Sequence, residues 1–352
     1  MIKYLGSKRL LLPRILERIE ALSGVRTVLD LFSGTARVAH ALKRAGYRVH
    51  ANDHNAYAAT LAACYVRTDR GRWGRKAERL IAELDALPGE AGWFTETFCV
   101  KARYLQPQNG ARVDAIRDRI AALSPEPELE AIALVSLMEA ADRVDSTTGV
   151  QMAYLKAWSA RSLQPLRLRV PDLLPGAGSS SCLEAVEAAK RFPADLAYLD
   201  PPYNQHSYLG NYHVWESLVR WDKPEVYGVA MKRIDVRARV SPFNRRGEIE
   251  GAFRELLETV RARYLLVSFN DEGYLSPATL RALLAGHGGV EEASIEHRRY
   301  IGHQIGVYNL RGERVGTPGP AHNREHLFVV DRGAGGKPPL RSGRRLAVRA
   351  GA

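Results

Sequence analysis

"DLAYLDPPYNQHSYLGNYHVWE", residues 195–216, sets an apolar run directly against an acid, two prolines and a tyrosine. Leu196 to Leu199 reads as a short buried strand, and the next residue, Asp200, must leave the core. An acid at a strand's carboxyl end stands where open α/β sheets bind ligands. Two consecutive prolines cannot continue a central strand; they fix a stiff turn whose carbonyls keep one direction. A D-P-P-Y tetrapeptide arises by chance in a chain this long only about a few times in a thousand, at ~5% usage per residue.

Working outward, a second strand signal, Thr27 to Phe32, is followed by the small-residue turn Ser33-Gly34-Thr35. Val38, Ala41, Leu42 and Ala45 then recur at helical spacing until Gly46. Tyr47 to Ala51 is the next strand, ending at Asn52-Asp53, so this is a βαβ unit with parallel strands. Helical patterns fill the middle of the chain: Lys76 to Leu87, Val113 to Leu123 and Leu129 to Ala141. The sheet is expected to resume at Leu166 to Val170 and Ser180 to Cys182, and to continue through Leu196 to Leu199 and Tyr264 to Ser268. The expected division is an α/β domain over 1–65 and 165–331, a helical insertion over 66–164, and a tail over 332–352.

The composition is ordinary for a globular protein, with 45% hydrophobic and 26% charged residues. No apolar run has the length of a membrane span, and the N-terminus lacks a signal-peptide pattern, so no membrane association and a cytoplasmic location are expected. Cys64, Cys99 and Cys182 lie far apart, which argues against a zinc site or a disulfide framework; no metal is expected. The net charge is +12, and Arg332, Lys337, Arg341, Arg344, Arg345 and Arg349 contribute six of those charges to a tail without acids, read as disordered. The basic excess suggests a polyanionic partner, although basic residues are also common on a solvated face.

A Gly-containing turn with an acid about twenty residues on, Gly34 to Asp53, has the geometry that sets an adenosine ribose on a carboxylate. Because the turn is not G-x-G-x-x-G, it lacks a cradle for a pyrophosphate. A nucleoside without phosphates fits better, and Asp30 could take the ammonium of an amino-acid moiety, so the two acids together suit S-adenosylmethionine (AdoMet). Asp53 as a plain strand cap remains the competing reading. At the opening stretch, the Asp200 carboxylate and Pro201 carbonyl form two acceptors aimed at one point. They could bind both hydrogens of an exocyclic amine and localise its lone pair for in-line attack on a sulfonium methyl. Tyr203 offers a ring face to a base removed from a duplex.

The chain resembles the D12-class, Dam-like adenine-N6 DNA methyltransferases. "KYLGSK" (3–8), "DLFSGTARV" (30–38), "AND" (51–53) and "YLDPPYN" (198–204) are similar, in order, to the family's motifs. "NYHVWESL" (211–218) and "SFNDEG" (268–273) are similar to a subgroup found in restriction-modification systems. The resemblance implies a Rossmann-like AdoMet-dependent methyltransferase sheet, mixed and mostly parallel with seven strands, and a helical insertion serving target recognition. It implies AdoMet contacts from Tyr4, Lys8, Asp30, Phe32, Gly34, Asp53, Cys182 and Asp200, and Asp200-Pro201-Pro202-Tyr203 as the catalytic turn. Ala36 departs from the glycine usual there; its small side chain still permits close packing, so weaker cofactor packing is the most this implies.

The implied substrate is double-stranded DNA and the implied partner a cognate restriction endonuclease. Candidate DNA contacts are Arg72, Trp73 and Arg75 in a basic run, Asn211 and His213 behind the catalytic turn, and Arg237, Arg239 and Arg245 further on. A satisfied structural histidine is the competing reading of His213. The alternatives to adenine-N6 methylation are cytosine N4 in DNA, adenine in RNA, and a non-catalytic DNA-binding protein of the same fold. The intact turn and Asp53 argue against the last.

Overall fold

The computed structural model describes residues 1–298 and 322–333. Seven strands form one sheet: β1 Thr27–Asp30, β2 Arg48–Asn52, β3 Ser179–Ser181, β4 Ala194–Leu199, β7 Ala262–Asn270, β8 Gly289–Arg298 and β9 His322–Asp331. Between β4 and β7, β5 Val226–Tyr227 and β6 Lys232–Arg233 make a separate hairpin. The spatial order is β3-β2-β1-β4-β7-β9-β8. The first five run parallel, and β9 is antiparallel to both neighbours. β9 thus lies between β7 and β8, both of which precede it in the chain.

Both faces of the sheet are covered, which explains why its strands read as continuous apolar runs. Val28, Leu196, Tyr198 and Leu266 join one buried cluster, while Leu29, Ala197, Leu199, Leu265 and Val267 join another. Helices α7 Ala185–Arg191, α10 Ile249–Thr259 and α11 Pro277–Ala285 cover the second face. The first face is packed by α1 Leu12–Glu20, α2 Arg37–Arg44 and the helical middle of the chain. That middle comprises α3 Ala56–Ala62, α4 Arg70–Asp85, α5 Pro107–Leu123 and α6 Pro127–Arg143, and its core is continuous with the sheet's. Short helices α8 Tyr208–Asn211 and α9 His213–Arg220 follow β4.

Leu166 to Val170 is not a strand. Leu166 and Leu168 are buried and Arg167 and Arg169 exposed, so the alternation is real. The segment's amides instead donate to side chains of helices: Leu166 N–H to Asn109 Oδ1 (2.9 Å), Leu168 N–H to Asp85 Oδ1 (2.9 Å) and Arg169 N–H to Ser136 Oγ (3.2 Å). Period-two burial reports an extended chain on an apolar surface, not a partner strand.

Arg332, read as the first tail residue, belongs to the fold, since its Nη1 donates to the Val260 carbonyl at 2.7 Å. The rest of the expected disordered tail, from residue 334, lies outside the described residues. Among the described residues no helix is long and apolar enough to cross a membrane.

Candidate active site

β1 lies between β2 and β4, and the chain leaves β1 toward one neighbour and reaches the other only later, so a crevice opens at the strands' carboxyl ends. Three acids meet there. Asp30 closes β1 with only 1% of its surface exposed, and its polar neighbours, the Ser33 side chain and the Phe32 N–H, fall short of strict hydrogen-bond geometry. Burial pushes its carboxyl up to about 8 against the Ser33 hydroxyl and the Phe32 N–H, with Asp200 and Asp53 pushing the same way as burial. Asp53, just past β2, accepts the Gly34 N–H (2.9 Å) and the Asn55 N–H (2.9 Å). Burial is also the main cause raising the Asp53 carboxyl.

Gly34 has φ +53, and a Cβ there would come 3.2 Å from the Tyr4 hydroxyl, so the turn needs glycine for both conformation and clearance. Ala36, at the head of α2, also has a left-handed φ of 58°. The glycine usual at this place therefore answers a backbone requirement rather than only a packing one.

The third acid, Asp200, follows β4. Its Oδ1 is 3.1 Å from Lys8 Nζ, and that buried ammonium also reaches Glu325 Oε2 of β9 at 3.4 Å. Burial raises the Asp200 carboxyl to about 6 despite the opposing lysine. Pro202 lines the pocket while Pro201 is buried behind it. Tyr203 turns away from the pocket. Its ring packs on Phe269 with centroids 5.0 Å apart, and its hydroxyl accepts from Asn270 Nδ2 at 2.7 Å. The expected stacking ring is thus packed against β7 on one side, with the Lys8 ammonium 5.8 Å from its centroid, and does not itself line the pocket.

The aromatic surface facing the pocket comes from elsewhere. Tyr4 is stacked between Tyr208 (5.1 Å, 2° between planes) and Tyr212 (4.7 Å, 13°), and Tyr4 and Tyr208 both line the cavity. The four-residue spacing of Tyr208 and Tyr212 was the available sequence signal. At the other end Phe32 meets Phe243 edge-on at 5.3 Å. Cys182 is a correction: its thiol is exposed and lies 3.8 Å from the His54 carbonyl, and its neighbour Leu183 lines the pocket instead. Successive side chains of extended backbone point to opposite sides, so one residue decides the matter.

The candidate DNA contacts divide. Trp73 is packed in the core, with Arg72 and Lys76 resting on its ring at 4.9 Å each, so it is not a wedge. Arg72 and Arg75 are exposed on α4, but that helix begins beside the C-terminal end of α2, where Lys43 Nζ donates to the Thr68 carbonyl (2.6 Å). α2 runs back against the strands, so α4 starts at the sheet edge opposite the crevice. Asn211 and His213 are both buried and offer DNA no surface. His213 Nε2 lies 2.8 Å from the Gln151 carbonyl oxygen, Nδ1 has no hydrogen-bond partner among the described residues, and burial pushes its pKa down to about 3, so it sits in the core as a neutral and only half-satisfied ring.

Arg239 lines the pocket but is held in place, its Nη1 donating to the fully buried Glu216 (2.9 Å) and its Nη2 to the His54 carbonyl (3.2 Å). Glu216 also accepts the Tyr57 N–H at 3.0 Å, which ties α9 to α3 beneath the rim. Arg237 and Arg245 are exposed, Arg237 over the Tyr227 ring at 3.9 Å and Arg245 bonded to Glu248 at 2.9 Å.

Residues 4–283 match the model of the D12 class N6 adenine-specific DNA methyltransferase family. The modification methylase StsI of Streptococcus sanguinis is 29% identical over 321 residues, covering 85% of this chain and 49% of its own length. The type II methyltransferase M.FokI of Planomicrobium okeanokoites is 30% identical over 307 residues, covering 82% and 47%. The type II methyltransferase M.NlaIII of Neisseria lactamica is 27% identical over 313 residues, covering 85% and 92%. The chain therefore spans about half the length of the first two relatives.

Proposed function

From the premise that the chain belongs to the D12 class N6 adenine-specific DNA methyltransferases, we propose that it methylates N6 of adenine in a specific sequence of double-stranded DNA, drawing the base out of the duplex into the crevice. The observation that carries this reading is the convergence of the buried Asp30, Asp53 beneath the Gly34 turn, and Asp200 at the head of the Pro-Pro turn.

The residues present fit AdoMet, which when bound supplies an electrophilic methyl on a sulfonium. Asp30 would hold its ammonium, Asp53 its ribose hydroxyls, and Phe32 and Leu183 would flank its base. The raised Asp30 carboxyl is consistent with this fit, because a buried acid stays neutral until a ligand cation supplies what water supplied outside.

The chain's own contribution to the reaction is position and charge. Lys8 engages one oxygen of Asp200 and leaves the other, with the Pro201 carbonyl, to accept the two hydrogens of the target amine. Held in this way, the amine would present its lone pair to the methyl, and Asp200 or water would take its surplus proton after transfer. Tyr208 is the ring available to the base.

The segment over 66–164 is proposed to read the target sequence, with Arg237 and Arg245 meeting phosphates near the rim. The relatives' names, modification methylase and type II methyltransferase, support a companion endonuclease of the same specificity. The test is to incubate the protein with labelled AdoMet and mixed DNA and RNA, then digest to nucleosides. N6-methyladenine from DNA is the expected product; label in N4-methylcytosine, or only in RNA, would overturn the assignment.

A further inference from the structure

Glu325 lies beyond the stretch that matches the family and far in sequence from every residue of the catalytic turn. The fold nevertheless delivers it there. On the β7–β9 ladder Glu325 is directly opposite Asn270, and opposed residues carry their side chains on one face. Asn270 Nδ2 donates to the Tyr203 hydroxyl (2.7 Å), and Glu325 Oε2 accepts from Lys8 Nζ (3.4 Å), which is 3.1 Å from Asp200 Oδ1. One level of a β ladder therefore braces both ends of the Asp200–Tyr203 turn. Glu325 is buried and does not line the pocket, so it reaches the reacting atoms through Lys8 and through its charge, not by touching them.

We propose that Glu325 is a positioning residue for methyl transfer. It anchors the Lys8 ammonium so that the lysine ties one oxygen of Asp200 and leaves the other for the amine. It also adds a negative charge behind the turn as positive charge develops on the amine. The inference rests on the role given to Asp200 under Proposed function.

The charge has a consequence that packing alone does not. Asp200 is faced by Lys8 from the Lys8–Leu10 turn, Asp30 from β1, Tyr198 from β4, Tyr203 and Tyr208 from the segment after β4, and Glu325 from β9. Burial raises all three tyrosines, which stay neutral through the working range. Besides burial, which dominates, Glu325 raises the Asp200 carboxyl and Lys8 lowers it. Neutralising Glu325 must therefore move the Asp200 midpoint to lower pH.

The experiment compares full-length wild type, Glu325→Gln and Glu325→Asp, each checked by thermal melting. Single-turnover methylation is measured at saturating AdoMet across the acid limb. The Asp200 carboxyl is titrated by carbon-13 NMR, its signal assigned by loss in Asp200→Asn. Glu325→Gln is expected to slow transfer about tenfold or more, to shift both the acid limb and the Asp200 midpoint downward, and to change AdoMet affinity by less than about threefold. Glu325→Asp keeps the charge but shortens the reach to Lys8, so transfer should slow while the acid limb stays near the wild-type position.

A folded Gln variant with wild-type rate and an unmoved midpoint overturns the proposal, as does a rate loss wholly accounted for by weaker AdoMet binding. If the Gln variant fails to fold, an Asp variant with unaltered rate overturns it equally. Wild type without methyl transfer would count against the proposed function, while the Asp200 midpoint still decides the role of Glu325.

Discussion

AdoMet should bind more weakly as pH falls through neutrality, and Asp30 sets the size of the effect. Its carboxyl, raised to about 8, keeps a proton in the free protein over a range where an ordinary aspartate has long lost it. A ligand ammonium placed against the buried oxygens favours the charged form, so binding must expel that proton. The ionised fraction is about one in a hundred at pH 6, about one in eleven at pH 7 and about half at pH 8. With the ligand's amino group included, the dissociation constant should then fall roughly eightfold from pH 6 to 7 and about two- to threefold from 7 to 8, with a net release of about 0.8 proton at pH 7. The rise in affinity stops where the ligand's own amino group deprotonates, ordinarily at about 7.7–8.0.

Titration calorimetry at the three pH values, in two buffers of different ionisation enthalpy, reads both affinity and proton release. Asp30→Asn should bind more weakly and lose most of the slope, which separates Asp30 from Asp53, whose carboxyl is also raised. A flat wild-type affinity between pH 6 and 7 without proton release would refute the reasoning. So would an Asn variant that keeps the full slope.

Tyr208→Ala should slow single-turnover methylation about tenfold with little change in melting, since base stacking is worth on the order of 1–3 kcal/mol. Tyr203→Phe strands the Asn270 donor and should instead cost stability, about 1–3 kcal/mol in denaturant titration; the reverse pattern would return the stacking role to Tyr203. His213, held near 3, binds no proton in the folded protein where the unfolded chain binds one, so stability complete above about pH 6.5 is lost as pH falls toward 3. Between pH 7 and 5 that loss is roughly 2 kcal/mol, and His213→Gln should remove it from the pH dependence of unfolding. Truncation after Gly333 removes five cations, Lys337, Arg341, Arg344, Arg345 and Arg349, and should flatten the salt dependence of DNA binding by about 0.9 for each phosphate these cations neutralise. Altered sequence preference would show that the tail does more than attract phosphate.

The parts of the fold that were legible are those where local pattern and tertiary role agree. Val28 and Leu29, or Leu196 and Ala197, are buried on opposite faces, so their apolar runs could only be central strands. The Gly34-to-Asp53 spacing worked because a bonded turn joins the two residues directly. Leu166 to Val170 misled because alternation records burial and not hydrogen-bond partners, which are helix side chains here. Trp73 and His213 misled because a helix carries core and solvent residues in one run, and no local signal says which way a single aromatic points. Glu325 was invisible as a site residue, and Arg239 was read as a DNA contact rather than as a rim residue pinned to Glu216, because both roles depend on which strand or helix comes alongside, a long-range fact.

β9 is the seam of the sheet. β7 stays an open edge and β8 has no neighbour in the sheet until β9 slides between them, although both have left the ribosome first. Synthesis proceeds at about 5–20 residues per second, so the gap is brief, yet during it Lys8 has Asp200 but not Glu325. A nascent chain can thus present its cofactor crevice before its catalytic turn is braced. Ribosome-bound chains stalled before β9 should retain little or no ability to mark DNA, and chains stalled after it has emerged should gain that ability in one step.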